Sequence, residues 1–274
     1  MKKTVSVITL TRSRDIQLLR AIDSVNKQDY EGSIEHIVIG DNSLPLRKRE
    51  RQISLRYPNV RIFHIDINKF TSQFIDCYAP SRVGFIRNVG IRQAQGEYIC
   101  QLDDDNYYDK NHISSLVQSI ESEPNTDITF SWRRLLWNDG SPYVEEAYPW
   151  TPEARLAFGK EALSRYIYER LIKAGIRIRG SNIVRDTLIT PDGEPVYTID
   201  TSELMVKREV HSEFLFNVNF TWREMVGDYS DDYAFVKKCH EAGLKFKCSE
   251  KITLNYIIGG HSNKSLKKMH KAIH

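Results

Sequence analysis

Apolar and polar positions along the first 120 residues switch between two periods. Residues 5–10 form a β-branched apolar run of strand length, and the spacing Leu18, Leu19, Ile22, Val25 then puts four apolar side chains on one helix face, with Asp15 placed to cap it. A second strand, 34–39, stops at Gly40-Asp41-Asn42-Ser43, a strong turn signal, and a basic helix and a third strand, 60–65, follow. Residues 66–81 read as a loop, and 83–94 as a helix ended near Gly96. A fourth strand, 98–102, is broken by Asp103-Asp104-Asp105-Asn106, after which Asp109 opens a helix with Ile113, Leu116, Val117 and Ile120 on one face.

The second half is less regular. Pro142, Pro149 and Pro152, with Tyr143, Tyr148 and Trp150, mark an aromatic loop, and 152–173 reads as a helix. Pro191-Asp192-Gly193 predicts a turn between two short strands, 202–209 a short helix, 232–242 a helix ended by Gly243, and 244–247 and 252–257 two strands. No linker, repeat or low-complexity run divides the chain, so the expectation is one domain over 1–274, with halves 1–125 and 126–274. Strands alternating with helices predict an α/β fold with a mostly parallel sheet covered on both faces, and functional loops at the carboxyl ends of the strands. The polar stretches 11–15, 41–43 and 103–105 all follow strands and should face one crevice.

Composition narrows the class. With 41% hydrophobic and 27% charged residues the chain can bury a substantial core, and a net charge of +3 lacks the concentrated basic character of a nucleic-acid binder. Two local basic clusters stand out: Arg47, Lys48, Arg49 and Arg51, and the tail Lys264, Lys267, Lys268 and Lys271. Both read first as solvated faces, and secondarily as contacts to an anionic membrane or a polyanion. Cys77, Cys100, Cys239 and Cys248 form no CxxC pair, so neither a disulfide framework nor a zinc site is indicated, and a reducing cytoplasm is expected. The apolar run after Lys2-Lys3 ends at Leu10 without a cleavage site, and no stretch reaches the ~20 apolar residues of a membrane span, so any membrane contact is expected to be peripheral.

The acidic triplet is the sharpest chemical feature. Three carboxylates after an apolar strand repel one another unless a cation compensates. On an extended segment Asp103 and Asp105 point the same way and could share a hard divalent ion, Mn2+ or Mg2+, with phosphate oxygens and water completing its shell. The competing reading is that Asp105 or Asn106 caps the next turn. Asp231-Asp232 open a helix, where they either act as a base or complement its dipole. His261, in Gly259-Gly260-His261, follows a strand where the glycines permit close approach to phosphate or metal, and Lys264 could reach a diphosphate.

The ordered set 5–14, 37–43, Arg87-Asn88-Val89-Gly90 and 96–105 resembles the opening of family 2 glycosyltransferases with the GT-A fold, strongly over 4–120 and patchily beyond. That resemblance implies a Rossmann-like sheet with a smaller C-terminal acceptor-side part. It also implies inverting transfer from a nucleotide-diphosphate sugar, with UDP the expected nucleotide, to a saccharide, lipid-linked or small-molecule hydroxyl. Asp103 and Asp105 match the ends of the family's DxD metal motif and Asp104 its middle. Thr11 and Asp41 match positions that bind base and ribose. Arg87 and Asn88 match a pair near the donor, and Arg14 belongs to the first matching stretch on the same side. Residues 231–243 resemble the ED motif and its helix, with Asp232 at the catalytic Asp and Asp231 replacing the usual Glu. Similar family members place a metal-ligating His where His261 stands. Among Trp132, Trp137, Tyr143, Tyr148, Trp150 and Trp222, the acceptor-site candidates are Trp150 and Trp222; core packing competes for all of them.

Two other classes compete. A nucleotidyltransferase would carry a glycine-rich basic loop after its first strand, where this chain has Thr11-Arg12-Ser13-Arg14, and an aspartate-based phosphohydrolase would place its acids on that first strand. A noncatalytic nucleotide-sugar-binding protein would have no need to keep Asp103, Asp105 and Asp232.

Overall fold

The computed structural model describes residues 2–67, 78–150 and 160–259. The first strands are β1 (Val5–Thr11), β2 (Ile34–Asp41), β3 (Val60–Ile65) and β4 (Tyr98–Gln101). They alternate with helices α1 (Ile16–Asn26), α2 (Leu44–Arg56) and α3 (Ala79–Gln93). Beyond them lie β5 (Tyr107–Tyr108), α4 (His112–Glu121), β6 (Ile128–Leu136), α5 (Lys160–Lys173), β7 (Ile183–Val184), β8 (Leu204–Lys207), α6 (Trp222–Val226), α7 (Asp231–Glu241) and β9 (Phe246–Ile257).

Among the described residues one sheet joins nine strands in the order β3-β2-β1-β4-β8-β6-β9-β5, with β7 on β6. The pairings give β1, β2, β3, β4, β6 and β9 one direction; only the short β5, β7 and β8 run the other way. The mostly parallel α/β sheet expected of a GT-A protein is therefore present, and its long strands end on one edge.

Helices cover both faces, because the strands are apolar on both. On one face Ile8, Ile37 and Ile39 meet Ile86 and Ile91 of α3 and Phe235 and Val236 of α7. On the other, Val5, Val7 and Cys100 meet Ala21 and Val25 of α1 and Ile113, Leu116 and Ile120 of α4, while Leu46 and Ile53 of α2 pack with Leu18, Ile22 and Val38. Each such side chain contributes roughly 1.5–3 kcal/mol by leaving water. α3 lies close to the sheet because Gly90 has no side chain: a Cβ there would meet Ile8 at 2.6 Å. Leu135, Trp137, Tyr143, Ile176, Val184 and Ile258 form a separate small core in the second half.

Several sequence expectations give way. Residues 202–209 are not a helix: a 3-10 turn at Thr201–Glu203 leads into β8, inserted between β4 and β6, and a second 3-10 turn follows at Arg208–Ser212. Leu204, Met205 and Val206 are all buried, and such a three-residue run needs cover on both faces, which a central strand provides and a one-sided surface helix does not. β6 has no counterpart among the expected elements, because Trp132, Arg133 and Arg134 interrupt its apolar pattern. Asp15 stands at the N-cap of α1 but makes no capping bond; both carboxylate oxygens go to Arg49, at 2.8 and 3.1 Å. Asp109 precedes α4 by three residues and instead accepts from Asn255 at 2.7 Å and Arg134 at 2.6 Å. The loop expected through residue 81 already turns helical at Ala79. The 191–193 turn forms, but its flanks pair only through one bridge, Ile189 with Pro195. The two last strands are one, kinked at Glu250 (φ 56°).

Candidate active site

β1, β2 and β4 are parallel neighbours, so Thr11 to Asp15, Asp41 to Ser43 and Asp103 to Asp105 emerge on the same edge. The acidic triplet is not free in solvent. Arg14 reaches from the β1 loop to Asp104 at 2.8 Å and to Asp105, and Thr11 lies buried against Asp104. Arg20 donates to the Asp105 carbonyl at 2.8 Å and stacks over Tyr107.

The three acids stand in different environments. Burial pushes the Asp105 carboxyl up to about 7; Arg14 opposes this, and the charges of Asp103 and Asp104 add to it. Burial also raises Asp104, again against Arg14. Asp103 is the most open, its side chain 34% exposed. A group so placed gains from any added positive charge in the crevice.

Arg87 ties the two acidic stretches together. It is buried in α3, donates from Nη2 to Asp103 at 2.9 Å and from Nε to Asp231 at 2.8 Å, and reaches Gln101 at 3.3 Å. Burial works against its charge, but Asp103 and Asp231 more than offset that and hold it firmly protonated. The end of β4 and the start of α7 are thus joined by one guanidinium.

Asp232, next to Asp231, is half-buried and accepts the Tyr233 amide at 2.7 Å. Burial, then the charges of Asp231 and Asp200, push its carboxyl up to about 7, the range suited to a proton acceptor near neutral pH. Ser230 caps α7, its hydroxyl accepting the same Tyr233 amide at 3.4 Å.

Asp41 ends β2 and holds Arg82 with both oxygens, at 2.7 and 2.6 Å. Asn88, in contrast, turns away from the crevice. Its amide donates to the Phe216 carbonyl and accepts the Phe216 amide, both at 2.9 Å, and Gly84 one turn earlier approaches the Asn217 carbonyl so closely that a Cβ would sit 2.5 Å away. Its position fits the expected pair, but its side chain anchors the segment before α6.

The aromatic candidates separate. Trp137 and Tyr143 are core. Trp132 bonds the Asp186 carbonyl at 3.2 Å. Trp150 meets Tyr148 and Tyr256 edge to face, bonds the Tyr256 hydroxyl at 3.0 Å and covers Arg133. Trp222 is 77% exposed on α6. His261 and Lys264 lie outside the described residues, as does Cys77.

Two residues of the site are absent from the sequence expectations. Arg82 carries no local signal. Asp200 does carry one, the D-x-x-E spacing to Glu203 that forms a capping box. Burial, then the charge of Asp103, raises the Asp200 carboxyl to about 6 despite Arg133, so it stands in the field of both Asp103 and Asp232. Behind it Arg133 is buried with Glu203 and with Asp186, the latter at 3.1 Å.

The donor set at the triplet consists of hard carboxylate oxygens, which suits a divalent ion such as Mg2+ or Mn2+. Among the described residues no three-residue ligand cluster is preformed. A site of one or two carboxylates completed by phosphates and water fits these residues.

The glycosyl transferase family 2 model matches residues 6–176. The putative colanic acid biosynthesis glycosyl transferase WcaA of Escherichia coli is 32% identical over 161 residues, covering 57% of this chain and 52% of that protein. The chain thus spans about half the length of this curated relative. TarS of S. aureus superposes with a TM-score of 0.59 at 16% identity, over 97% of this chain and 38% of TarS. The mannosyltransferase PcManGT of Pyrobaculum calidifontis, solved with GDP-Man and Mn2+, gives 0.58 at 13% identity, over 97% and 60%. The matched span, the fold and the shared edge of the long strands together make this chain a member of glycosyl transferase family 2 with a GT-A fold.

Proposed function

We propose that the protein transfers a sugar, with inversion, from a nucleotide-diphosphate sugar to an acceptor hydroxyl, with Asp232 as the base. The observation that carries this reading is Arg87, which binds Asp103 and Asp231 at once and so sets the acidic triplet and the base helix around one crevice. A divalent ion at Asp103 and Asp105, when bound, supplies positive charge for the departing diphosphate.

The chain's own residues do the rest. Thr11 and Asp41 line the nucleotide end of the crevice, and Arg82 fixes the Asp41 carboxylate for contact with base or ribose. Arg14 steadies Asp104 and Asp105. Asp231 is spent on Arg87, which leaves Asp232 as the neighbour able to accept the hydroxyl proton while the sugar carbon is attacked from the face opposite the leaving group. Trp150, braced over Arg133, and Trp222, exposed on α6, serve the acceptor side. His261 completes the metal set in this reading and Lys264 meets the diphosphate. Residues up to about 125 serve mainly the donor; those after it supply the acceptor side and the base, with His261 and Lys264 reaching back to the donor.

UDP is the nucleotide proposed. A shorter form of TarS, solved with UDP-GlcNAc, shares the fold, with a TM-score of 0.53 over 93% of this chain and 58% of that one, and supports the choice; the GDP-Man complex of PcManGT makes GDP the comparison to run beside it. Thermal shift with UDP, GDP and dTDP and their sugars, with and without Mn2+, tests the reading. One diphosphate should stabilise the protein in a metal-dependent way, and Asp105→Ala should abolish the metal dependence. Equal stabilisation of that variant would remove Asp105 from the ligand set. Binding without turnover of any donor would point to a noncatalytic nucleotide-sugar-binding protein.

A further inference from the structure

α2 has two faces of unequal use. Toward the sheet it presents Leu46 and Ile53, both buried. At ~100° per residue, Leu44, Arg47, Lys48, Arg51 and Leu55 gather on the opposite side, within a stripe about 100° wide. Leu44 is 60% and Leu55 78% exposed, and the three cations between them are exposed as well.

The other charges of the helix are engaged. Arg49 binds Asp15, Arg56 lies 3.6 Å from Asp23, and Glu50 contacts His64 at 2.9 Å. Among the described residues Arg47, Lys48 and Arg51 form no ion pair; Lys48 adds only a longer-range attraction to Asp15. The stripe begins at the crevice edge, since Ser43 caps α2 and Asp41 lies two residues before that cap.

We propose that this outer face of α2 docks the protein on an anionic lipid bilayer, with the helix lying in the interface and the crevice mouth beside the membrane. Charge complementarity with phosphate headgroups selects an anionic surface over a neutral one. The leucines select a bilayer over a soluble polyanion: side chains ~16 Å apart at both ends of a basic stripe gain by entering the acyl boundary and gain nothing from a hydrated anionic polymer. The surface is independent of the donor, the metal and the base.

Sedimentation of the full chain with phosphatidylglycerol–phosphatidylcholine vesicles tests this. Binding is expected to mixed vesicles and not to phosphatidylcholine alone, and to weaken on adding salt. The triple variant R47E/K48E/R51E should lower partitioning at least about 100-fold, the loss of each cation alone being worth about fivefold. L44A/L55A should lower it by roughly tenfold. Both variants should melt like the parent and keep its nucleotide binding, because their side chains face away from the core and the crevice. Absence of wild-type binding would overturn the proposal. Undiminished binding of the triple variant would do so too, moving the attraction to another surface, such as the basic tail Lys264, Lys267, Lys268 and Lys271, which lies outside the described residues. Tight binding to dextran sulfate, with L44A/L55A indistinguishable from wild type on vesicles, would assign the face to a polyanion instead.

Discussion

The two sides of the sheet solve the burial problem differently. From β3 to β4 the strands bury mostly isoleucine and valine; Ser6, Thr9 and His36 are neutral polar exceptions, the last two hydrogen-bonded at 2.9 Å, and Thr11, Asp41 and Gln101 are buried at the strands' carboxyl ends. Across β8 the interior becomes ionic: Arg133, Asp186 and Glu203 are buried together, with Asp200 beside them. Apolar burial needs no partner. A buried ion is tolerable only with its counter-charge in place, so this ionic interior, like the buried Arg87 of α3, depends on charges brought from distant parts of the chain. The charged interior lies behind Asp200, whose charge, after burial and the charge of Asp231, adds to the rise of the proposed base.

Perturbing each side should expose the difference. The largest effect is expected from Asp232→Asn, which should lower transfer by about 100- to 10,000-fold while leaving donor binding intact, as read by turnover and nucleotide titration. Retained transfer would move the base elsewhere. Next, Arg133→Ala should destabilise the fold by about 3–5 kcal/mol, and Ile8→Ala by about 2–5 kcal/mol, in urea unfolding.

The two losses should differ in their pH dependence. Glu203 and Asp186 are already raised by burial, and without Arg133 they rise further, so the fold is penalised only where they must be charged. The penalty of Arg133→Ala should therefore shrink from pH 8 to pH 5, while that of Ile8→Ala stays constant. A constant penalty in both would mean the cluster is held by packing alone.

Asn88→Ala, which frees the Phe216 backbone, should cost about 1–3 kcal/mol, and its effect on transfer should follow stability rather than donor affinity. Two further effects on stability start at about 1 kcal/mol. Ser43→Ala removes the cap of α2, whose hydroxyl accepts the Leu46 amide. Asp232→Asn should stabilise the fold by at least about 1 kcal/mol at pH 8. The sign follows from its folded carboxyl standing at about 7, above the unfolded value: its contribution is favourable below pH 4 and lost as pH rises through 7, so the gain on removing the charge vanishes at pH 4. Unfolding at the two pH values checks it.

What is legible in the chain alone tracks the same division. β1 to β4, α1 and α4 follow from apolar spacing, and the crevice follows from polar stretches after parallel strands. β8 reads as a helix because Ser202, Glu203, Leu204, Met205 and Lys207 have good or fair local helix tendencies. Its burial between β4 and β6 overrides them. β6 is hidden because Arg133 and Arg134 look solvent-facing until Glu203, Asp186, Asp109 and Asn255 are brought to them from other parts of the chain. Asn88 reads as a donor ligand because the pair Arg87-Asn88 resembles a family pair near the donor; the helix turns successive side chains ~100° apart, so only Arg87 meets the acidic residues while the Asn88 amide meets Phe216.

The sequence by itself determined the period of β1 to β4, α1 and α4, the parallel first sheet and the acidic positions that follow its strands, because these depend on residues near one another in the chain. Only the tertiary structure decided that Arg87 would join Asp103 to Asp231, that Arg82 would hold Asp41, and that a strand would form at β8. Those outcomes rest on desolvated charges and edge pairing between segments up to 144 residues apart, and a counter-charge has no local signature until folding excludes the water around it.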